Sequence, residues 1–442
     1  MALNSRVGVI SLGCAKNLVN TEQMMFSLNQ AGFEVSAETD GADVVLLNTC
    51  GFVESAKTEA IEVIIELGEM KKEGRIGKIV VAGCLPERYK AEIMDELPEI
   101  DAAVGTGSFD EIVAVINSLL KNGKKLTSFG DIDAPVSESG RIISTSPAWA
   151  YLKVAEGCDN RCAYCAIPDI RGRYRSRPIE NIVKEAGELK SRGTKELIIV
   201  AQDVTMYGLD LYGKPVLVDL LSRLCEICSL DWIRLHYLYP ERINDLLINF
   251  IAEHDTMLKY LDVPIQHIND GILARMNRLG TGEGIRLLFK SLRERVPGVV
   301  LRTSVITGLP GEGEKEFDEL CQFLADERIE RAGVFPYSPE EGTPAALMDR
   351  PSQDVAMRRA EIIADLQSRI MDDYDRTRIG RVVTVLIEGF REGDGLYYGR
   401  SFAESPDVDG YIMVKGEGIA MHEFVQVRIL EAMNGLIIGE AL

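Results

Sequence analysis

The chain has 442 residues with 69 acidic and 49 basic side chains, 46% apolar residues and a formal net charge of −20. Domains of about 100–200 residues make two to four domains the expectation for this length. The acidic charge disfavours a protein that binds nucleic acid through a broad cationic surface. No apolar run is long enough to cross a bilayer and the first residues do not read as a secretion signal. We therefore expect a cytoplasmic protein with no membrane partner.

The N-terminal part alternates short apolar runs with helical periodicity. Three runs predicted as strands begin at Val7, Asp43 and Lys78, and apolar residues recur every three or four positions between the last two. This alternation predicts an α/β domain with a parallel sheet over residues 1–126. Residues 127–146 lack periodicity and are rich in Asp, Ser and Pro, so they are predicted to form a linker.

Strand and helix alternate again, on a larger scale, over residues 147–377. Six segments are predicted as strands: Ala150–Val154, Glu196–Val200, Trp232–Leu235, Tyr260–Val263, Val299–Ile306 and Ala332–Phe335. Helical stretches such as Ile179–Lys190 and Glu316–Asp326 separate them. About six such units predict a partial (β/α) barrel, in which the chemistry is expected at the carboxyl ends of the strands.

The pattern changes to short alternating or β-branched runs over residues 378–442. Five runs are predicted as strands: Val382–Glu388, Gly395–Arg400, Tyr411–Val414, Phe424–Leu430 and Gly435–Gly439. Gly and Asp turns lie between them. This spacing predicts a small five-stranded antiparallel β-barrel of oligonucleotide-fold type, a recognition module.

Three closely spaced cysteines, Cys158, Cys162 and Cys165, follow the first predicted strand of the central region. Three thiolates on one loop can hold three irons of a [4Fe–4S] cluster and leave the fourth iron open. An open iron can chelate S-adenosylmethionine, from which a reduced cluster releases a 5′-deoxyadenosyl radical. The alternative is a zinc site that takes a fourth ligand from elsewhere. Tyr164 is a candidate to stack on the adenine of this cofactor, or else it packs within the loop.

A second set of cysteines, Cys14, Cys50 and Cys84, follows three predicted strands of the N-terminal domain. The carboxyl ends of parallel strands share one edge of a sheet, so these thiols are predicted to converge on a second cluster with an open iron. Ordinary buried cysteines are the alternative. The remaining cysteines lie in helical patterns and are interpreted as packing residues: Cys225, Cys228 and Cys321.

The sequence around both cysteine sets resembles the radical S-adenosylmethionine methylthiotransferases over nearly the whole chain. The N-terminal motifs begin at Ser11 (Ser-Leu-Gly-Cys-Ala-Lys-Asn), Asn48 (Asn-Thr-Cys-Gly-Phe) and Ala82 (Ala-Gly-Cys-Leu). Later landmarks agree: Gln202-Asp-Val-Thr-Met-Tyr-Gly, His236-Tyr-Leu-Tyr-Pro, Tyr260-Leu-Asp-Val-Pro-Ile-Gln-His and Tyr337-Ser-Pro-Glu-Glu-Gly-Thr. The resemblance implies two [4Fe–4S] clusters, S-adenosylmethionine as cofactor and a C-terminal TRAM domain.

Two branches of this family differ in substrate. One modifies an isopentenyl-adenosine in transfer RNA, and the other modifies an aspartate of the twelfth small-subunit ribosomal protein. The segments that begin at Lys16, Gly51 and Ala201 resemble the ribosomal-protein branch. Ala15 and Asn20 depart from the proline and aspartate usual in the family, although neither is a predicted ligand.

The charge of the C-terminal region favours the same branch. Residues 378–442 carry six Lys and Arg against ten Asp and Glu, a net charge of −4 that suits a basic ribosomal protein better than phosphates. Four arginines at alternate positions are candidates either to bind phosphates or to pair with the many carboxylates of this chain: Arg171, Arg173, Arg175 and Arg177. They occur in both branches and do not separate them.

The resemblance implies that a methylthio group replaces a hydrogen on the β-carbon of the substrate aspartate. Such a C–H bond is not acidic, and the ionised carboxylate beside it opposes a carbanion, so a radical route is expected. One S-adenosylmethionine methylates a sulfur held at the N-terminal set, and a second yields the radical at the central set. An electron donor of unspecified identity is required.

No acid–base residue is assigned. His267 follows a strand and is interpreted as a structural histidine. The glycine-rich stretch that begins at Gly308 lacks the ending of a phosphate loop and is predicted to be a βα loop bordering the cofactor. Two other functions stay open: a transfer-RNA methylthiotransferase, and a non-catalytic iron–sulfur or zinc protein.

Overall fold

The computed structural model describes residues 5–227 and 230–442, which form two compact units. The first unit contains residues 5–144, 153–177 and 338–346, and the second contains the other described residues. Cys228 lies outside the described residues. Within the described part of the chain, no helix combines the length and the apolar character needed to cross a membrane.

A six-stranded sheet forms the base of the first unit, and all of its pairings are parallel, as the sequence predicts. In spatial order its strands are β2, β1, β3, β4, β5 and β6. Their bounds are β1 Arg6–Ser11, β2 Glu34–Ser36, β3 Val44–Thr49, β4 Lys78–Gly83, β5 Ala102–Val104 and β6 Leu126–Ser128. The helices are α1 Ala15–Gln30, α2 Glu54–Lys72, α3 Cys84–Tyr89, α4 Ile93–Glu96 and α5 Ile112–Asn122, with 3₁₀ turns at Lys90–Glu92 and Thr106–Glu111.

Burial on both faces explains why the central strands of this sheet are continuous apolar runs. Successive residues of a strand point to opposite faces, so Val44 and Leu46 pack in one layer with α1 and α5. Val45 and Leu47 pack in the other layer with α2. The edge strand β6 includes Thr127 and Ser128, the first two residues of the segment that was predicted to be a linker.

The second unit contains another six-stranded sheet, in the order β14, β13, β12, β11, β10 and β7, and β10 to β14 pair in parallel. Its strands are β7 Trp149–Lys153, β10 Glu196–Val200, β11 Trp232–Leu235, β12 Met257–Asp262, β13 Val300–Thr307 and β14 Arg331–Pro336. Between β7 and β10 along the chain lie three short elements of the first unit: β8 Ala155–Glu156, α6 Ile167–Arg171 and β9 Arg175–Ser176. The sheet is open, so the predicted partial barrel is confirmed.

Helices and 3₁₀ turns connect the strands of the second unit. The helices are α7 Ile179–Ser191, α8 Leu209–Tyr212, α9 Leu217–Cys225, α10 Asp245–Glu253, α11 Asp270–Arg275, α12 Gly282–Arg295, α13 Glu314–Glu327 and α14 Gln353–Arg376. The 3₁₀ turns are Val204–Met206, Pro240–Arg242 and Pro344–Leu347, the last of which runs from the first unit into the second. All six predicted strands are present, and the largest difference is that β12 begins three residues before the predicted start at Tyr260.

The C-terminal strands form a closed five-stranded barrel, in the order β15, β16, β17, β19 and β18. Their bounds are β15 Val382–Arg391, β16 Leu396–Arg400, β17 Ile412–Lys415, β18 Phe424–Met433 and β19 Leu436–Ala441. Four of the five pairings are antiparallel, but β17 and β19 are parallel, with Ile412 opposite Ile437. The predicted five-stranded antiparallel barrel is confirmed apart from this one pairing, because strand direction cannot alternate all the way round a closed ring of five.

Buried polar contacts join this barrel to the sheet of the second unit. Arg400 of β16 lies 2.9 Å from Glu196 at the start of β10, and the indole of Trp149 donates to Glu388 of β15 at 2.9 Å. Between β16 and β17, the carboxylate of Asp409 accepts a bond of 2.7 Å from the hydroxyl of Tyr260. The barrel and the sheet therefore share one polar interior, and both belong to the same compact unit.

Candidate functional site

The three N-terminal cysteines meet at the carboxyl edge of the first sheet, as predicted. Cys14 precedes α1, Cys50 follows β3 and Cys84 begins α3, and the strands before them, β1, β3 and β4, are neighbours. Gly13 has a φ of +96°, and a side chain there would place its β-carbon 2.9 Å from that of Cys50. A β-carbon on Gly51 would lie 2.8 Å from the backbone of Cys84. Glycine beside two of the cysteines thus permits the close approach of the three loops.

Burial and mutual proximity separate the pKa values of these thiols. Burial raises the pKa of Cys50 to about 12, and the negative charges of Cys84 and Cys14 add to this effect. Burial also raises the pKa of Cys84, against the influence of Arg171. At Cys14 burial acts in the same direction, but the charges of Lys16 and Arg171 outweigh it and lower its pKa. A cation shared by the three sulfurs would relieve this repulsion, which is the chemistry expected of a metal-binding thiol set.

Two buried asparagines from the cysteine motifs hold these loops in place. Asn17 donates to the backbone oxygens of Thr49 at 2.9 Å and Leu12 at 3.3 Å. Asn48 donates to the backbone oxygen of Asn17 at 2.9 Å and to Thr21 at 2.8 Å. The side-chain oxygen of Asn48 is buried and accepts no hydrogen bond from the described residues. The cysteine edge of the sheet is therefore hydrogen-bonded, polar and partly unsatisfied.

The central cysteines lie on the loop between β8 and α6. Cys162 is buried, and Cys158 and Cys165 are half-buried. The amide of Cys165 donates to the oxygen of Cys162 at 3.0 Å, so the end of the loop is a tight turn. The amide of Cys158 donates to the oxygen of Gly172 at 3.2 Å. Gly172 has a φ of +73° and lies against backbone atoms of Ile132, so a side chain there would strain this closure.

Helix α6, which follows the central cysteine loop, packs against Cys84 of the N-terminal set. Ala166 and Ile170, one helical turn apart, form a buried apolar cluster with Cys84. At the end of the helix, the guanidinium of Arg171 approaches the Cys84 sulfur at 3.3 Å from Nε and 3.2 Å from Nη2. The two cysteine sets therefore lie in one compact unit and are joined by this helix.

The spacing of the donor side chains bears on the kind of metal group that they could hold. Across the described residues, no three His, Cys, Asp or Glu side chains are arranged closely enough to hold a single ion. A cubic cluster binds each thiolate to a different iron, so its ligands stand further apart than those of one zinc ion. No disulfide joins the eight cysteines of the described chain.

The remaining sequence candidates have distinct environments. The side chain of Tyr164 is buried in the central cysteine loop. Arg171 and Arg177 are also buried and cannot form a phosphate-binding surface, whereas the side chain of Arg173 is 78% exposed. Arg177 is paired with Glu138 at 2.6 Å. For the two buried arginines, pairing inside the protein is thus the correct interpretation.

His267 and the loop that begins at Gly308, the two sequence candidates in the second unit, belong to one buried hydrogen-bond network. His267 is fully buried, with Nδ1 accepting from the amide of Asn269 at 3.0 Å and Nε2 lying 3.3 Å from Glu312. Glu312 also accepts from the amide of Gly308 at 2.8 Å and pairs with Arg359 at 2.8 Å. The stretch from Gly308 is a βα loop, between β13 and α13, as predicted. These contacts hold the imidazole of His267 in place within the protein interior.

The packing cysteines differ from the six candidate ligands in their setting. Cys225 ends α9 and Cys321 lies within α13, and both are half-buried. Burial raises the pKa of Cys321 to about 11 and also raises the pKa of Cys225. Both positions lie in helices, which agrees with their interpretation as helix packing residues.

The sequence did not single out Asn17, Lys153, Glu156 and Arg171 as parts of the site. Asn17 stands in the first cysteine motif, and Arg171 was considered only as one of four alternating arginines. Lys153 and Glu156 flank the start of the central loop, and their side chains form a buried pair at 2.8 Å. The sequence signal that could have identified Lys153 and Glu156 is the presence of charged residues at a strand end just before a cysteine motif.

Family models match three successive segments of the chain. Residues 6–105 match the uncharacterized protein family UPF0004, residues 152–324 match the radical SAM superfamily, and residues 379–442 match the TRAM domain. The matched fold and the cysteine loop define the protein as a radical S-adenosylmethionine enzyme. This class uses a [4Fe–4S] cluster and S-adenosylmethionine.

Full-length relatives identify the family. The chain is 45% identical over 449 residues to the ribosomal protein uS12 methylthiotransferase RimO of Acetivibrio thermocellus, covering 100% of this chain and 99% of the relative. It is 44% identical over 440 residues to the protein of the same name from Lachnoclostridium phytofermentans, covering 99% and 100%. The chain belongs to the family of these methylthiotransferases, which confirms the resemblance noted in the sequence.

Solved structures share the fold at low sequence identity. The radical S-adenosylmethionine methyltransferase TsrM of Kitasatospora setae superposes with a TM-score of 0.56 at 14% identity, over 75% of this chain and 73% of its own. The cobalamin-dependent S-adenosylmethionine radical enzyme OxsB gives a TM-score of 0.52 at 14% identity, over 82% and 56%. At this identity the likeness concerns the fold alone.

Proposed function

We propose that the protein inserts a methylthio group at the β-carbon of an aspartate of ribosomal protein uS12, with two [4Fe–4S] clusters and S-adenosylmethionine. The N-terminal cluster would be held by Cys14, Cys50 and Cys84, and the radical-generating cluster by Cys158, Cys162 and Cys165. The observation that carries the proposal is that both sets lie in one compact unit, with the helix after one set packed on a cysteine of the other.

The chain's own residues hold and shield the reacting groups. When bound, the clusters and S-adenosylmethionine supply one-electron reduction, a carbon-centred radical and a methylated sulfur. Burial of Cys84 and Cys162 keeps water away from the sulfur atoms. Tyr164 is proposed to stack on the adenine of S-adenosylmethionine. Because the pKa of Cys50 is about 12, its thiol must lose a proton when the N-terminal cluster binds.

The names of the full-length relatives and the charge of the barrel support the protein substrate. Residues 378–442 carry a net charge of −4. The charged residues that are buried there are two arginines and two glutamates: Arg378, Arg400, Glu388 and Glu404. The net charge therefore belongs to the accessible surface, where it would attract a basic ribosomal protein and repel phosphates. Transfer RNA is the less favoured substrate for this reason.

The proposal includes the cellular setting and the division of the chain. We place the protein in the cytoplasm, where thiols are kept reduced and ribosomal proteins are made, with a one-electron donor as a further partner. We also propose functional boundaries at residues 126, 146 and 377, between a methylthiotransferase domain, a linker, a radical S-adenosylmethionine core and a TRAM domain. Neither a membrane nor a nucleic acid is part of this proposal.

Anaerobic reconstitution followed by mass analysis tests the proposal. The reconstituted protein is incubated with S-adenosylmethionine, dithionite and either purified uS12 or transfer RNA that carries isopentenyl-adenosine. We expect one methylthio group on an aspartate of uS12, release of deoxyadenosine and no change in the transfer RNA. Cys321→Ala, a half-buried cysteine of a helix, serves as the control variant with full activity. Modification of the transfer RNA alone would reverse the choice of substrate, and a protein that binds only zinc would exclude radical chemistry.

A further inference from the structure

Arg171 is an arginine that contacts the sulfur of Cys84, one of the N-terminal cysteines. Its side chain is 2% exposed, and it lies at the end of the helix that follows the central cysteine loop. Two of its three nitrogens, Nε and Nη2, lie 3.3 and 3.2 Å from the Cys84 sulfur. An arginine at a solvated surface gains little from such a contact, whereas a buried one interacts strongly with a thiolate.

Neutral oxygen atoms fill most of the other positions around this guanidinium. Nη1 donates to the side-chain oxygen of Asn20 at 2.8 Å, and Nη2 donates to that of Asn17. The one carboxylate in contact is Glu156, at 3.3 Å from Nη1. Glu156 is nearer to the ammonium of Lys153, at 2.8 Å, and the Lys153 side chain is 1% exposed.

The buried charges at this place therefore do not balance. We call Arg171, Lys153 and Glu156 the thiol-side charges. At their formal charges, the two cations share one carboxylate in a water-poor interior, and burial lowers the pKa of Lys153. Burying an uncompensated charge is costly, and an anion beside it offsets that cost. The Cys84 sulfur is the group that two guanidinium nitrogens contact, at 3.3 and 3.2 Å, so a thiolate bound to a cluster there would lie beside this charge.

We infer that Arg171 is a positioning residue for the N-terminal cluster: it fixes the Cys84 thiolate and raises the reduction potential of the cluster that this thiolate binds. Hydrogen bonds to ligand sulfurs and a nearby positive charge both stabilise the reduced, more negative state of an iron–sulfur cluster. The side chain reaches this sulfur from the segment that carries the central cysteines. One residue thus couples the loop of one cysteine set to the electronic state of the other. The inference rests on the proposed function, because it assumes a cluster on Cys14, Cys50 and Cys84.

A redox titration of a single-cluster protein tests this inference. In the parent variant, Cys158, Cys162 and Cys165 are all changed to Ala, so that the N-terminal cluster is the one left. To this parent we add Arg171→Lys, Arg171→Met or Arg173→Gln. Arg173 is the matched control, because it lies on the same loop, is 78% exposed and pairs with Asp133 at 3.9 Å. Iron content, the midpoint potential and the thermal unfolding midpoint are measured for each full-length protein.

We expect the midpoint potential to become more negative in Arg171→Lys, which keeps the charge but loses the paired contact, and more negative still in Arg171→Met. Arg173→Gln should match the parent. Normal unfolding with fewer bound irons in Arg171→Lys also supports the positioning role. An unchanged potential in Arg171→Met, or unfolding of Arg171→Lys, overturns the inference. If the parent itself binds no cluster, the proposed function fails instead, and the two failures are therefore distinct.

Discussion

Two groups of buried charges in this molecule differ in their balance. The thiol-side charges of the first unit contain two cations and one carboxylate, next to a cysteine sulfur. The barrel-side charges of the second unit lie between the C-terminal barrel and the parallel sheet. We define the barrel-side charges as two sets of two arginines and two carboxylates: Arg234, Arg400, Glu196 and Glu388, and Arg331, Arg378, Asp375 and Glu404.

The barrel-side charges contain one carboxylate of the chain for each cation. Glu196 is fully buried between Arg234 at 2.6 Å and Arg400 at 2.9 Å. Burial alone would raise the pKa of Glu196, but the two guanidinium groups outweigh burial and lower it. A group closed in this way needs no ligand, so it fastens one part of the fold to another. The thiol-side charges instead have one carboxylate for two basic side chains.

The largest expected effect separates the two cysteine sets that flank the thiol-side charges. Cys162→Ala should abolish deoxyadenosine release, because the radical-generating cluster loses a ligand. Cys50→Ala should abolish methylthio insertion while deoxyadenosine release survives at least in part. Both products are measured by mass spectrometry after anaerobic reconstitution. Methylthio insertion by both variants would show that the ligand assignment is wrong.

The next effect concerns stability and the barrel-side charges. Arg400→Met leaves Glu196 and Glu388 buried with one guanidinium fewer, and breaking a buried pair in this way costs about 3–5 kcal/mol. Chemical unfolding should show this loss. Arg391→Met is the control, because its side chain is 60% exposed and its pair with Asp394 is solvated. A loss in Arg400→Met no larger than that of the control would mean that the group does not fasten the barrel.

Acid should weaken the barrel-side charges in a defined pH range. Burial acts to raise the pKa of Glu404, but Arg378 and Arg331 outweigh burial and hold its pKa at about 2, below the ordinary 4.5. The carboxylate therefore contributes stability that is complete above pH 4.5 and is lost as the pH falls towards 2, about 3 kcal/mol in total. The free energy of unfolding should converge between the wild type and Glu404→Gln over this range. A difference that stays constant down to pH 3 would contradict the assignment.

Strand positions were predictable from the sequence because a strand that is buried on both faces contains a continuous run of apolar residues. The run Val44-Val-Leu-Leu at the start of β3 is wholly apolar, and this composition indicates a central parallel strand. The edge shared by Cys14, Cys50 and Cys84 followed from the rule that parallel strands end on one side. The parallel pairing of β17 and β19 was also implied by the predicted count of five strands in a closed ring, although the sequence prediction stated otherwise.

The polar surroundings of the cysteines were not predictable in the same way. Arg171 and Cys84 are 87 residues apart, and their contact depends on how two loops fold together. Arg171 and Arg173 look alike in the sequence, yet one is buried against a thiol and the other is exposed to solvent. The periodicity of apolar residues predicts which positions are buried, but it does not predict which residue a buried charged side chain pairs with.

The smallest expected effect tests the balance rule on a third group of buried charges. Glu340 is buried and accepts from Arg88 at 2.5 Å and Lys57 at 3.2 Å, and Glu54 pairs with Lys57 at 2.6 Å. Lys57 and Arg88 share the buried carboxylate of Glu340, and the second carboxylate, Glu54, is 69% exposed, so the balance is completed at the surface. The rule therefore predicts a structural role, although Arg88 also donates to Gly51 beside a predicted ligand.

Glu340→Gln should therefore lower the free energy of unfolding by about 2 kcal/mol, the scale of hydrogen bonds to charged groups. In the same single-cluster parent used for Arg171, it should leave the potential of the N-terminal cluster unchanged. Glu341→Gln, the exposed neighbour, is the control for stability. A shift in potential as large as that of Arg171→Met would break the comparison, because charge balance would then no longer distinguish the charges that tune the cluster from those that hold the fold.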